Sequence, residues 1–180
     1  MLKLRKKLRS FRSDERGYSS VEFVIVATTF LTGFFWIFET GLIMTKQMML
    51  ERALDITVRD LRLYSVPPTK LPTETIYQWA KRQTCETALV FKDCEENLHL
   101  EMDTFDPASG YAKTFKCVDR SVPDLNPLGV FTPNQRSEIM YIRACIRIDP
   151  MMPNGIAMFP GVNDEGIPLV ADTAFMNEPE

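Results

Sequence analysis

Hydrophobic and polar positions divide the chain into three rhythms. From Phe23 to Thr45 the run FVIVATTFLTGFFWIFETGLIMT is apolar on every side of a helix, with Glu39 its one charge. At 1.5 Å per residue such a helix is about 34 Å long, enough to cross a hydrocarbon core of about 30 Å. Beyond Lys46 the period stays helical but becomes one-sided. Leu50, Leu54, Val58 and Leu61 recur at spacings of four, four and three, flanked by Glu51, Arg52, Asp55, Arg59, Asp60 and Arg62. One apolar stripe with charged flanks is an amphipathic helix. The spacing therefore predicts a single helix from about Ser19 to Tyr64, a membrane span continuing as a stalk. SVPPTKLP ends it, because Pro67, Pro68 and Pro72 cannot continue the hydrogen-bond ladder.

The rest of the chain changes period. Thr73 stands as an N-cap before ETIYQWAKRQTCETALV, which carries Ile76, Tyr77, Trp79 and Ala80, so a short helix of about three turns is expected. NLHLEMDTF then alternates Leu98, Leu100 and Met102 with Asn97, His99, Glu101 and Asp103, a strand with one wet face. On this reading His99 is a surface residue. Ala112 to Val118, Ile139 to Ile148 and Leu169 to Met176 are further strands, separated by loops such as SVPDLNPLG and PGVNDEGIP. The fold class is α+β: a long N-terminal transmembrane helix continuing as a stalk, then a small domain with a short helix and an antiparallel sheet. The divisions are 1–17, a basic leader; 18–66, span and stalk; and 67–180, the α+β domain.

Charge gives this arrangement a direction. The net charge of −3 conceals Lys3, Arg5, Lys6, Lys7, Arg9, Arg12 and Arg16 at the N-terminus against only Asp14 and Glu15. Of the 24 acidic and 21 basic residues in all, this leaves 22 acidic and 14 basic in the remainder. A basic cluster directly before an apolar run is a cytoplasmic anchor under the positive-inside bias rather than a nucleic-acid arm. The leader is then cytoplasmic, the inner membrane is the solvent of the span, and residues from about 46 onward lie in the periplasm. No A-x-A-like site follows the span, so the helix stays with the protein.

Cys85, Cys94, Cys117 and Cys145 all fall in that outer portion, where an even number of thiols favours disulfides. Of the three possible pairings, Cys85 with Cys94 and Cys117 with Cys145 join sequence neighbours and close short loops. The spacings contain no C-x-x-C pair and His99 is the sole histidine, so no metal site is expected. The sequence also lacks a P-loop, G-x-S-x-G, H-E-x-x-H or dinucleotide glycine pattern. Neither cofactor nor catalysis is expected.

Glu22 and Glu39 are the two carboxylates in or beside the span, where ionisable groups are expensive. Glu39 is expected to snorkel toward the interface near Lys46. Glu22 has two readings. It lies at headgroup depth in the first turn of a helix, where negative charge is favoured, or it awaits a partner. Gly17, Tyr18, Glu22 and Phe23 resemble the processing site of type IV pilin-like precursors, and ERGYSSVEF, the later Glu39-x-Gly41 and Leu50-Glu51-Arg52-Ala53 resemble TadE/TadG-like pseudopilins of the tight-adherence (Flp) pilus system. CVDRS, RACIRIDP and AFMNEPE are similar to TadE-like members as well.

The resemblance implies that a prepilin peptidase cuts between Gly17 and Tyr18. Glu22 would then pair with the new Tyr18 amine of an adjacent subunit. Phe23 stands where major pilins usually carry tyrosine, and a domain of about 115 residues is attached, which points to a minor pseudopilin in pilus assembly or initiation. Implied partners are other pilins and pseudopilins and the Tad inner-membrane assembly proteins, with incorporation into a pilus allowed. Thr28 stands where many members have proline, so a straight helix is expected. Thr29, Gly33 and Gly41 share one helical face at multiples of four, the spacing at which small residues let spans approach. The alternative is an uncleaved single-pass protein whose periplasmic domain is a binding module.

Overall fold

The computed structural model describes residues 18–64, 67–104, 117, 131–132, 138–151 and 166–176. The basic leader, Gly17 and most of the expected strand Ala112–Val118 lie outside the described residues. Two compact units divide at Gly41, residues 1–41 and 42–180.

Helix α1 runs unbroken from Tyr18 to Leu63, through Thr28 and across both units. In the first unit it exposes apolar side chains on every side, from Phe23, Val24, Ile25 and Val26 to Phe34, Phe35, Ile37 and Phe38. Its backbone bonds are internal, and its hydroxyls are served internally too. Thr28, Thr29 and Thr32 each donate to the carbonyl four residues back, at 2.6, 3.0 and 2.8 Å. That is how a polar side chain is satisfied where water is missing. It is the one helix among the described residues long and apolar enough to cross a membrane.

In the second unit the same helix buries one stripe. Leu50, Leu54, Val58 and Leu61 are all buried, with Ala53 beside them. They join one core with Trp79, Leu98, Leu100, Met102, Ile142, Ile146 and Leu169. The periodicity of the sequence thus becomes a packing face.

The segment after α1 is held by a tight turn, with Lys70 N–H donating to Pro67 O at 3.0 Å. Helix α2 spans Ile76–Ala88. Its cap is Thr75, not the expected Thr73. Thr75 Oγ1 accepts the Gln78 N–H at 3.2 Å, and Gln78 Oε1 accepts the Thr75 N–H at 3.0 Å. This reciprocal capping box satisfies two end donors at once, which Thr73 could not do two residues further out. Glu74 precedes the helix and accepts the Leu71 N–H at 3.2 Å.

Helix α3, Cys94–Asn97, is a single turn that the sequence reading missed, so Asn97 belongs to it and the first strand begins later. Strands β1 (His99–Thr104), β2 (Ile139–Ile148) and β3 (Ile167–Met176) form an antiparallel sheet in that order. Leu100 stands opposite Ala144, and Ala144 opposite Ala171, a row of buried side chains crossing the sheet. Two disulfides join Cys85 to Cys94 and Cys117 to Cys145.

Candidate functional site

The head of α1 is where the sequence concentrates its unusual chemistry. Within the described part of the helix, Glu22 lies one turn after Tyr18 on the same face. Glu22 is exposed, and Phe23 is 72% exposed. Gly17 lies outside the described residues. Of the proposed small-residue face, Thr29 is exposed, and a Cβ built on Gly33 or on Gly41 would meet nothing within 4 Å. Each position leaves room for another surface to approach closely. Glu39 departs from expectation: it is buried, at 5% exposure, rather than snorkelling to water. A carboxylate is buried only where something other than bulk water compensates it.

The second unit carries its own polar constructions. Arg82, on α2, forks onto Glu74, with Nε to Oε1 and Nη2 to Oε2 both at 3.0 Å. Its Nη2 also reaches Thr69 O at 3.1 Å, and Trp79 Nε1 donates to Thr69 Oγ1 at 2.9 Å. The bidentate bond from Arg82 holds the Glu74 carboxyl below its ordinary range, and Glu74 in turn raises the guanidinium further. This clamp ties the turn after the stalk to α2.

Deeper in, Thr57 Oγ1 and Thr84 Oγ1 meet at 3.0 Å, each also against the carbonyl four residues back. Both side chains are fully buried, so a hydroxyl pair joins stalk and α2 inside the core.

On the sheet face away from the core, Glu101, Arg143 and Asp172 share one row across three strands. Tyr141 donates its hydroxyl proton to Asp172 Oδ2 at 2.7 Å while accepting from Arg143 Nη2 at 2.7 Å. Partial burial, followed by the carboxylate partner, pushes the Tyr141 phenol up.

His99 lies in the same face and corrects the sequence reading. It is 4% exposed, not a surface residue. Its cross-strand neighbour is Cys145, itself buried and bonded to Cys117, so this part of the expected wet face is covered by a covalent tie. Burial, and secondarily the Lys81 ammonium, hold the imidazole below its ordinary pKa. Burial likewise lowers Lys81, with Glu95 opposing. Strand alternation could not reveal this, because Lys81 and Cys117 come from distant segments; the four cysteines were the available signal. Among the described residues no group of three or more His, Cys, Asp and Glu is placed to hold a metal ion.

Residues 17–59 match the family model described as TadE-like protein. The matched segment contains Gly17, Tyr18, Glu22, Phe23, Glu39, Gly41 and Leu50–Ala53 but not CVDRS, RACIRIDP or AFMNEPE, and it is consistent with a protein of the Tad pilus system. That pilus-associated family is not a family of enzymes. No curated protein and no solved structure matches the chain.

Proposed function

We propose that the chain is a minor pseudopilin of the Tad/Flp pilus system, anchored in the inner membrane by the apolar run of residues 23–45 and cut after Gly17 by a prepilin peptidase. The carrying observation is one helix, described from Tyr18 to Leu63, that exposes apolar side chains all round over residues 21–38 and carries Glu22 at the near end of that stretch. The TadE-like match, residues 17–59, covers most of this helix.

The physical logic runs from cost to pairing. A carboxylate at the mouth of a span is costly unless compensated. Cutting before Tyr18 removes the basic leader and creates an α-amine one helical turn from Glu22. Within one subunit, helix geometry fixes both groups. Between staggered neighbours, Glu22 of one meets the Tyr18 amine of the next, and both charges are neutralised in a place of low dielectric. The pair sets the axial register of subunits more than it adds stability. Thr29, Gly33 and Gly41 offer a face on which the neighbouring span approaches closely. The domain beyond the stalk then stands in the periplasm, where its disulfides persist.

The mature N-terminus tests this. Sequencing of the protein purified from membranes is expected to begin at Tyr18; a start at Met1 or Leu2 sinks the processed pseudopilin and leaves the uncleaved anchor with a binding domain. Gly17→Glu blocks the cut and retains the leader, because a side chain there collides with the peptidase site. Glu22→Ala is processed normally but fails to assemble, so normal piliation in that variant counts against register by pairing.

A further inference from the structure

The loop between α2 and α3 breaks two local rules at one residue. Leu89 closes α2 with φ of 52°, a left-handed conformation, its N–H bonded to Cys85 O at 3.3 Å. Helix ends of this kind normally take glycine, because a Cβ is strained there. Leu89 is also 85% exposed, the most exposed of the large apolar side chains among the described residues. Backbone strain and apolar surface in water both oppose folding. Among the described residues nothing repays either.

The rest of the loop makes the display deliberate. Phe91, two residues on, packs against the core, so the loop has an anchor and does not need Leu89 for one. Val90 beside it is 40% exposed. Asp93 is the other described non-glycine residue with positive φ, and aspartate tolerates that conformation far better than leucine. The Cys85–Cys94 disulfide staples the two ends of the loop together. A stapled loop is preorganised, so little further entropy is lost when it engages a partner.

Charge says what kind of partner. Glu86, Asp93, Glu95 and Glu96 line a depression at the base of the loop, with the two half-cystines as its floor. Lys92 is exposed among them, and Glu86 is shared with Arg82 at 3.3 Å, so the rim is acidic in balance.

We infer that residues 89–93 form a docking knob, in which Leu89 enters an apolar pocket of a partner protein whose rim carries Lys or Arg side chains. The knob presents a preset apolar anchor at the centre of the contact, and the carboxylates around it meet the basic rim and exclude mismatched surfaces. This surface does not depend on whether the chain is cut after Gly17.

The test uses the full chain in the cells that make it, with the photoreactive residue p-benzoylphenylalanine in place of Val90 and, as control, in place of the exposed Leu71. Irradiation at position 90 is expected to give one protein adduct absent from the Leu71 control, mapped by mass spectrometry to apolar residues flanked by Lys or Arg. Leu89→Gly relieves the backbone, so it leaves the thermal midpoint unchanged or higher while lowering adduct yield about tenfold, the scale of losing one buried leucine. Glu95→Lys with Glu96→Lys lowers the yield as well. Any one of four results overturns the docking knob: an adduct yield indifferent to Leu89→Gly, adducts to lipid alone, an adduct mapped to an acidic surface, or labelling no higher than at Leu71. A thermal midpoint that falls in Leu89→Gly overturns it too, since Leu89 would then serve folding.

Discussion

Residues 21–38 and residues 50–61 lie on one continuous helix and solve opposite problems. The first stretch exposes Phe30, Phe34, Ile37 and their neighbours on all sides, while the second buries one face, made of Leu50, Ala53, Leu54, Thr57, Val58 and Leu61. Backbone geometry is common to both, so the difference lies in the surroundings each surface requires. Helix propensity says little about it. The threonines make the same point at the level of single groups: Thr29 returns its proton to Ile25 O, whereas Thr57 also meets Thr84 from another helix. In the first stretch a polar group is silenced locally. In the second it is used to join elements.

Deleting apolar volume from each stretch is the most direct way to break this contrast. Leu54→Ala opens a cavity in the core and is expected to destabilise the C-terminal domain by about 2 to 5 kcal/mol. Ile25→Ala, 63% exposed, removes apolar surface that no part of the chain covers and shifts the same transition by less than about 0.5 kcal/mol. Denaturant unfolding of the full chain in detergent micelles, followed by the fluorescence of buried Trp79, measures both. Equal losses would mean that the apolar stretch is also packed within the folded chain.

The hydroxyl pair sharpens the comparison at smaller scale. Thr84→Val leaves Thr57 bonded to Ala53 O and costs about 1 kcal/mol. Thr29→Val loses only a local return bond and costs a few tenths at most. The double substitution Thr57→Val with Thr84→Val should cost less than the two single losses together, since the second removes a partner already without its mate. Strict additivity would show that the 3.0 Å contact does not couple stalk to α2.

Much of this was legible in the chain, and the failures have a common cause. The stripe at Leu50, Leu54, Val58 and Leu61 follows from its period, and the strands expected at Ile139–Ile148 and Leu169–Met176 follow from the loops that bound them, the second starting two residues earlier at Ile167. Thr75 displaced Thr73 as the cap because a capping box needs its Gln exactly three residues on, and a threonine near a helix start does not say which residue closes it. The one-turn α3 is too short to show any period. His99 obeyed the alternation of its strand and was still misjudged, since its end of the expected wet face lies beside the Cys117–Cys145 disulfide, while Asp103 on the same face is exposed. Burial of Glu39 was equally hidden from a pattern that sees only neighbours in sequence.

His99 supplies the subtlest test of the contrast between the two stretches. Its folded pKa lies below the ordinary 6.5, so the unfolded chain binds a proton more readily. The associated stability is complete above pH 6.5 and is lost as pH falls through that value toward the lowered folded one. Glu74, also lowered from its ordinary 4.5, stays outside the window from pH 8 to 5.5. Hydrogen-exchange protection, corrected for intrinsic rates, is expected to fall over that window at the amides of residues 50–61, whose stripe shares a core with the strand that carries His99. The amides of residues 24–38 keep theirs, because their bonds depend on the surroundings of an apolar helix. His99→Gln flattens the response of the stalk. A pH response of equal size in both stretches would show that the helix opens as one unit, and the division at Gly41 would then have no energetic counterpart.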